Sequence, residues 1–481
     1  MQSSLKRGHM KSGLKSATLV FSFLALLSAC GSKNSSSPPP PPVSTVEWTW
    51  VSGSNTMRQA GTYGTQGTAA SSNIPGARGY AVSWLDSSGK LWLFGGYGLD
   101  SAGNSGYLND LWRYDPATLE WTWISGSAAA AQAGTYGTQG TAASSNVPGA
   151  RSGAVSWLDS GGKLWLDGGY GYDSAGTSGY LNDLWKYDPA TLEWTWISGS
   201  NIVNQAGVYG IQGTAAPSNV PGALEFSVSW RDSSGKFWLL GGNGFDSGGN
   251  FGYLNDLWEY DPATLEWTWV SGSDAANHVG VYGTQGAAAS SNVPGGRDAS
   301  VSWLNSGGKL WLFGGYGYDS SGYLGALNDL WEYDPATLEW TWVSGSNYEF
   351  QAGVYGTQGT AASSNIPGAR YSSASWLDSS GKFWLFGGAG LASTVSTGYL
   401  NDAWKYDPAT LEWTWMSGSN ARGQKGTYGT QGTTASSNVP GARQGAVSWL
   451  DSSGKLWLFG GYGYDSAGNS GLLNDLWKNT R

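Results

Sequence analysis

Short apolar stretches alternate with turn-forming residues along this chain, and the alternation returns with a fixed period. The motif Trp-Thr-Trp occurs six times, and neighbouring copies are always 73 residues apart. The copies begin at Trp48, Trp121, Trp194, Trp267, Trp340 and Trp413. A constant period of this length is typical of repeat architectures. It predicts one continuous array, although 481 residues alone would suggest about three domains.

Each complete unit contains four β-type runs, which we call strands a to d. In the first unit they read "YAVSW" (80–84), "KLWLF" (90–94), "LNDLWRYD" (108–115) and "LEWTWIS" (119–125). The connections "LDSSG" and "PATL" are hairpin-sized, so each unit is predicted to be a four-stranded antiparallel meander. Strand b is apolar on both faces, so the sheet needs a neighbour on each side. Closing the stack into a ring removes its exposed ends.

Three features of the unit carry a resemblance to a known family. The Gly-Gly after strand b, the "LNDLW-x-YDP" of strand c and the tryptophan that follows resemble the kelch repeat over residues 46–481. The resemblance implies an all-β fold, a six-bladed β-propeller of four-stranded antiparallel blades. The units are longer than the usual kelch repeat of about 50 residues, because an insert separates strand d from the next strand a.

The two ends of the array are complementary. Its first element is a strand d at 46–52, and its last is a strand c at 472–480. We therefore expect the N-terminal strand to pair with Leu472 to Lys478, to complete the last blade and to close the ring.

The first 45 residues differ in character from the array. Basic residues precede an apolar run from Ala17 to Leu27, which predicts a signal peptide at 1–29. Leu27-Ser28-Ala29-Cys30 resembles the lipobox of bacterial lipoproteins, which implies lipidation of Cys30, the only cysteine. Residues 30–45 then form a Ser/Pro-rich tether. No aspartate follows Cys30, which favours the outer membrane, with the protein facing either the periplasm or the exterior.

Composition and charge narrow the class of partner. The chain has 76 Gly, 30 Trp and 26 Tyr with 12% charged residues, which is typical of an all-β protein. Its formal charge is −9, and residues 1–29 hold four of the positive charges and no negative ones. An acidic domain of this kind is a poor nucleic-acid binder. We expect membrane contact through the lipid anchor only, and a monomer.

Candidate binding residues lie in the long connections, which an antiparallel meander gathers at one end of each blade. One hypothesis is that repeated residues of the insert and of the start of strand a line a shared mouth. These residues are Tyr63, Gln66, Tyr136, Gln139, Arg78, Arg151, Arg297, Arg370 and Arg443. The alternative is that the six inserts form a structural collar. Leu224 replaces the arginine in the third unit.

Some positions depart from the repeat. The insert is least repeated just after its first serine, where Tyr348, Glu349 and Phe350 are the most ligand-like residues. They could equally be a freely varying loop tip.

Asp167 stands where the first unit has Phe94. It is either a tolerated substitution or a site, because a carboxylate at an apolar position needs a partner or a raised pKa.

The loop between strands b and c carries a recurrent aspartate. Oxygen ligands close in sequence could hold calcium, but aspartate also caps turns by accepting hydrogen bonds from its own backbone. Calcium is therefore the one candidate cofactor, and turn capping the alternative. The residues are Asp100, Asp173, Asp246, Asp319 and Asp465.

The sequence contains few residues of the kind that an enzyme active site needs. Kelch-type propellers include galactose oxidase-like copper enzymes, but only His278 and Cys30 remain after the signal's His9. The turn at Asp86, Gly89 and Trp92 is one residue longer than a sialidase Asp-box. Catalysis needs residues in unequal roles, whereas nearly every polar residue here is repeated.

The sequence thus predicts a binding or scaffolding module at the cell envelope, whose ligand is a protein or a polysaccharide. A carbohydrate-active enzyme with an unrecognised site is the alternative. For the repeated Trp-Thr-Trp, we expect a packing role between blades rather than a platform for sugars.

Overall fold

The computed structural model describes residues 46–479. The predicted signal peptide, Cys30 and the Ser/Pro-rich tether all lie outside the described residues. Within residues 46–479 every regular element is a β-strand, so the predicted all-β class is confirmed.

Eight antiparallel sheets make up the described chain, and units 1 and 5 contribute two each. We group the strands by repeat unit and call each group a numbered sheet. Sheet 1 contains Arg78–Gly79, Val82–Leu85, Leu91–Phe94, Tyr97–Leu99, Ser105–Tyr107, Leu111–Asp115 and Glu120–Ser125. Sheet 2 contains Arg151–Ser152, Val155–Leu158, Leu164–Tyr172, Ser178–Asp188 and Glu193–Ser198. Sheet 3 contains Leu224–Glu225, Val228–Arg231, Phe237–Phe245, Phe251–Asp261 and Glu266–Ser271.

The remaining three sheets repeat this plan. Sheet 4 contains Ala288–Ala289, Arg297–Asp298, Val301–Leu304, Leu310–Tyr318, Leu324–Asp334 and Glu339–Ser344. Sheet 5 contains Arg370–Tyr371, Ala374–Leu377, Phe383–Phe386, Ala389–Leu391, Thr397–Tyr399, Ala403–Asp407 and Glu412–Ser417. Sheet 6 contains Thr434–Ala435, Arg443–Gln444, Val447–Leu450, Leu456–Tyr464, Ser470–Asn479 and Trp48–Ser52.

Strand order within a sheet follows the chain. In sheet 2, strand a pairs with b, b with c, and c with d, all antiparallel. Strand a is in two pieces, Arg151–Ser152 and Val155–Leu158, which pair with the two halves of strand b. The b–c register shifts between Asp167 and Gly169, at the Gly-Gly that the sequence repeats in each unit. This bulge bends the strand where it meets the centre of the molecule.

A ring of backbone hydrogen bonds joins the six strands a. One residue from each break in strand a donates its N–H to the carbonyl of its counterpart in the preceding unit, at 2.8–3.0 Å. The members are Tyr80, Gly153, Phe226, Ala299, Ser372 and Gly445, and Tyr80 donates to Gly445. All six have positive φ, between 49° and 65°. Sheets arranged around such a ring are a β-propeller, and we call this set the axial ring.

The N-terminal strand completes the last sheet. Trp48–Ser52 pairs antiparallel with Ser470–Asn479, with Trp50 opposite Trp477. The Trp48 side chain is 2% exposed and packs on Phe386 of sheet 5 at 5.7 Å between ring centroids. The strand expected at this place is therefore present, and its tryptophan reaches the neighbouring sheet.

Each insert runs down the outer edge of the next sheet. The Gly67 amide donates to the Trp123 carbonyl (2.8 Å), and Ala70 forms a bridge with Trp121. The Asn73 side-chain amide donates to the Trp121 carbonyl at 3.0 Å. The extra length therefore does not all gather on the long-loop face as the sequence suggested. It covers the edge of strand d, which would otherwise expose unpaired backbone groups.

The repeated Trp-Thr-Trp is a packing element. Trp267 is 2% exposed, and its ring lies 4.9 Å from Tyr260 of its own sheet and 6.4 Å from Trp157 of the preceding sheet. Trp269 is half-buried beneath the insert, where Tyr209 meets it edge-on at 5.2 Å. The first ring is thus enclosed between sheets, and the second is covered in part by the insert.

A search of residues 46–479 for a helix long and apolar enough to cross a membrane finds none.

Deleting residues 46–52 should destabilise the protein strongly. The deletion removes buried Trp48, whose loss alone should lower the free energy of unfolding by about 3–5 kcal/mol. It also exposes the edge of the last sheet. The control deletes seven residues of the tether, 36–42, and should leave the melting temperature almost unchanged. Equal melting temperatures for the two deletions would show that the N-terminal strand does not hold the last sheet.

Candidate functional site

The arginine that begins strand a lies inside the sheet. In sheet 1 the two terminal nitrogens of Arg78 each donate to one oxygen of Asp110, both at 2.7 Å. The same guanidinium donates to the carbonyls of Gly76 and Gly95 at 3.0 Å. Five repeated arginines are at most 3% exposed, namely Arg78, Arg151, Arg297, Arg370 and Arg443. Four of the five N–H donors of the Arg78 guanidinium serve buried acceptors, so these arginines lie inside the sheets rather than at the surface of a mouth.

The repeated tyrosine of the insert belongs to the same network. The Tyr63 hydroxyl donates to Asp110 at 2.6 Å, and that of Tyr136 donates to Asp183 at 2.6 Å. Both tyrosines are buried, so they too are unavailable to a ligand. Gln66 and Gln139 are exposed, but they lie at the insert tip beside strand d, away from the axis.

Sheet 3 lacks this ion pair. Leu224 occupies the arginine position, so Asp256 keeps only the Tyr209 hydroxyl (2.5 Å) and the Trp258 indole (2.7 Å), both on the same oxygen. The other oxygen, Oδ1, is buried without a hydrogen-bond partner. Burial raises the pKa of Asp256 to about 6.

The aspartates considered for calcium cap the turns of the long loops. In Asp100, Oδ1 accepts hydrogen bonds from the amides of Ala102 and Asn104 at 2.9 Å, and Oδ2 accepts one from the Ala130 amide at 3.2 Å. The carboxylate thus ties the b–c loop to the following insert. Asp173, Asp246, Asp319 and Asp465 cap the same turn. No group of three or more potential metal ligands occurs among the described residues.

The divergent insert residues of unit 4 lie at the surface. Tyr348 is 51% exposed and Phe350 is 39% exposed. The Phe350 amide donates to the Ala326 carbonyl at 2.8 Å, which places this tip beside the start of strand c. Hydrogen bonding to Asp319 raises the pKa of Glu349. These three residues remain accessible to a partner.

A second set of residues, which the repeat pattern did not single out, surrounds the axis on the long-loop face. We call it the axial mouth, and it comprises Gly79, Tyr80, Tyr97 and Tyr107 with their counterparts in the other five units. The axial ring is its floor, where Tyr80 and Phe226 pack edge-on at 5.1 Å. A cavity of about 170 Å³ adjoins this floor.

Two glycines of the axial ring leave room for the aromatic rings of the floor. A Cβ on Gly445 would lie 2.5 Å from the Tyr80 ring, and one on Gly153 would lie 2.9 Å from the Phe226 ring. Both glycines also have positive φ. Side chains at these two positions would displace the rings, so units 6 and 2 provide space while units 1 and 3 provide the aromatic groups.

Tyrosines form the wall of the axial mouth. Of the twelve positions that correspond to Tyr97 and Tyr107, eight are tyrosine. The rings contact one another along the wall, with centroid separations of 5.3 Å for Tyr97–Tyr107, 5.4 Å for Tyr107–Tyr170 and 4.9 Å for Tyr170–Tyr180. Tyr253, Tyr316 and Tyr371 continue it on the other side of Asn243, with separations of 5.9 and 5.5 Å.

Two carboxyl groups lie beside the wall, opposite its positions Asn243 and Tyr316. Glu225 and Asp298 follow the first residue of strand a in units 3 and 4, and both are half-buried. Burial and the neighbouring Asp298 raise the pKa of Glu225 to about 8, and burial raises that of Asp298 to about 7. The salt bridges found among residues 46–479 include neither group.

A comparison of the units with one another could have found this set. Strand c reads "LNDLW" in five units and "LNDAW" in one, whereas residues 79–81 and their counterparts read GYA, SGA, EFS, DAS, YSS and QGA. The first two positions differ from unit to unit and the third is alanine or serine, in contrast to the nearly uniform strand c, and the fold shows that all three surround the axis.

No protein-family model matches the chain. No curated protein matches it. A solved structure titled "Structure of YjhT" aligns over 84% of this chain and 95% of its own, with 17% identity and a TM-score of 0.48. A likeness so distant supports no inference about ligand or chemistry.

Replacing Leu224 with arginine should restore the missing ion pair. The pKa of Asp256 is raised in the folded protein, so the stability that this group contributes at low pH is lost as pH rises from about 4 through 6. The Leu224→Arg variant should gain about 2 kcal/mol above pH 6 and less at pH 4.5, measured by urea unfolding. The matched variant Arg78→Leu should lose about 3–5 kcal/mol. A Leu224→Arg gain that does not depend on pH would contradict this account.

Replacing Asp167 with leucine, the residue that unit 3 has at Leu240, should also stabilise the fold. Asp167 is 4% exposed, and burial followed by the charge of Asp183 raises its pKa to about 8. Its contribution to stability is therefore lost as pH rises from about 4 to 8. The variant should gain about 2–4 kcal/mol at pH 8 and little at pH 4.5. A variant less stable than the parent at pH 8 would contradict this account, because it would mean that the Asp167 carboxylate forms a stabilising interaction in the folded protein.

Proposed function

We propose that this protein is a non-catalytic binding module at the cell envelope, and that its ligand enters the axial mouth. One observation carries the proposal: the units share their framework residues but differ at the first two of the three consecutive positions around the axis. A rigid scaffold that varies at one concave surface is the usual organisation of a binding site.

The asymmetry of the axial mouth supports specific recognition. Units 3 and 4 contribute carboxyl groups, units 1 and 5 contribute tyrosines near the floor, and units 2 and 6 contribute glycine. Four of the six axial-ring residues are not glycine and still have positive φ, which costs free energy at each position. Strain of this kind is commonly retained where it positions a functional surface.

Sequence motifs supply the context. The Gly-Gly and "LNDLW-x-YDP" elements support membership of the kelch repeat family, and Cys30 in its lipobox-like setting supports a lipid anchor in the outer membrane. The ligand in this proposal is a polysaccharide or a protein partner. The tyrosine-lined wall favours the polysaccharide, because aromatic faces stack on sugar rings.

A carbohydrate-active enzyme is the second candidate, and one observation favours it. Glu225 and Asp298 are neighbouring carboxyl groups with raised pKa values in a concave surface. Glycoside hydrolases use two carboxyl groups, one of them protonated at neutral pH.

A photo-crosslinking residue at position 371, in the axial mouth, should identify the ligand's place of binding in intact cells. The matched control is position 231, because Arg231 is exposed at the opposite, short-turn end of sheet 3. Purified protein is tested in parallel on an array of bacterial surface glycans. We expect saturable glycan binding or a discrete crosslinked product from position 371 and none from position 231.

Crosslinked products from position 231 and none from position 371 would contradict the proposal, because the ligand would then bind at the short-turn end rather than in the axial mouth. Release of new reducing ends from a bound glycan would replace the non-catalytic module with the enzyme.

A further inference from the structure

The charges of the axial mouth are all of one sign. Among its positions and the next residue of each strand a, Glu225 and Asp298 are the only charged residues, and there is no lysine or arginine. Two neighbouring carboxyl groups without a counter-ion repel each other when ionised, which is the reason that Asp298 contributes to the raised pKa of Glu225. A positively charged ligand would relieve this repulsion.

Tyrosine rings flank both carboxyl groups. Burial and the charge of Glu225 raise the pKa of Tyr107 to about 12. The pKa of Tyr180 is raised by burial and then by Glu225, with Asp298 adding to it. Tyr316 is the cross-strand partner of Asp298. Burial and Asp298 raise the pKa of Tyr253. Carboxylates surrounded by aromatic rings form a surface that attracts cations through both charge and π-electrons.

The axial mouth also contains two buried amide oxygens without a hydrogen-bond partner. Asn243 is the cross-strand partner of Glu225, and its Oδ1 is buried without a hydrogen-bond partner. The Oε1 of Gln444 is also buried without a hydrogen-bond partner. Unsatisfied buried acceptors are costly, and a ligand that donates hydrogen bonds removes the cost.

We propose that the ligand of the axial mouth is a glycan with a free amino group, whose ammonium ion lies between Glu225 and Asp298. This inference rests on the proposed function and names its ligand class. The ammonium ion supplies the positive charge and the N–H donors that the carboxylates and Asn243 lack. The sugar ring packs against the tyrosine wall, where a flat apolar face is needed.

Isothermal titration calorimetry on the purified protein tests the ligand class with two probes. One is the β-1,4-linked tetrasaccharide of glucosamine, and the other is its fully N-acetylated form, which keeps the rings and loses the charge. We expect the amine to bind at least about tenfold more tightly. The amine's affinity should also fall as salt is added.

Two variants with equal changes in charge locate the site. Glu225→Gln combined with Asp298→Asn keeps the shape of the axial mouth and should weaken binding of the amine at least about tenfold. The control combines Glu120→Gln with Glu193→Gln, on strands d of sheets 1 and 2, and should bind within about twofold of the parent.

The outcomes separate this inference from the proposed function. Equal affinity for the two tetrasaccharides would overturn the ammonium ligand while leaving a glycan-binding mouth. Equal weakening by the two double variants would overturn the site, since general charge attraction would then explain binding. Failure of both tetrasaccharides to bind would also overturn the inference, and crosslinking from position 371 would then decide the proposed function separately.

Discussion

One buried interaction organises five of the six units, namely the pair of hydrogen bonds from an arginine to an aspartate. In sheet 1, Arg78 and Asp110 join strand a to strand c, and Tyr63 and Gly76 bring the insert to the same point. A buried ion pair is stable only when its remaining donors and acceptors are satisfied. Here backbone carbonyls, a phenol and an indole complete it, so the network fixes where the insert, the bulge of strand b and strand a meet.

This network explains how the inserts and the tryptophans act together. The insert can lie along strand d because its tyrosine is held at the far end, in the centre of the sheet. The first tryptophan of each pair then packs between sheets, and the second packs beneath the insert. The outer edge is covered by a segment of the chain itself, which is one way in which β-proteins avoid edge-to-edge association.

Because the framework is fixed in this way, the two residues that follow the arginine position of each unit are free to differ. They lie where strand a breaks at the axial ring, in backbone conformations that framework hydrogen bonds maintain. The variation therefore changes the surface of the axial mouth without disturbing the sheets. Asp167 and Leu224 are departures of another kind, because they lie within the framework and leave carboxyl groups poorly paired.

The sequence by itself determined the repeat and the four strands of each unit, because period and alternation are local properties. It also predicted that the N-terminal strand pairs with the last strand c, because the two ends of the array are complementary. It could not determine where each repeated polar residue points. Arg78 and Tyr63 have the composition of a ligand site, yet tertiary contacts turn them inward to Asp110. Glu225 and Asp298 are 73 residues apart, and Tyr80 and Phe226 are 146 apart. Only the arrangement of six sheets around one axis brings them to a single mouth, since that proximity depends on the angle between sheets rather than on distance along the chain.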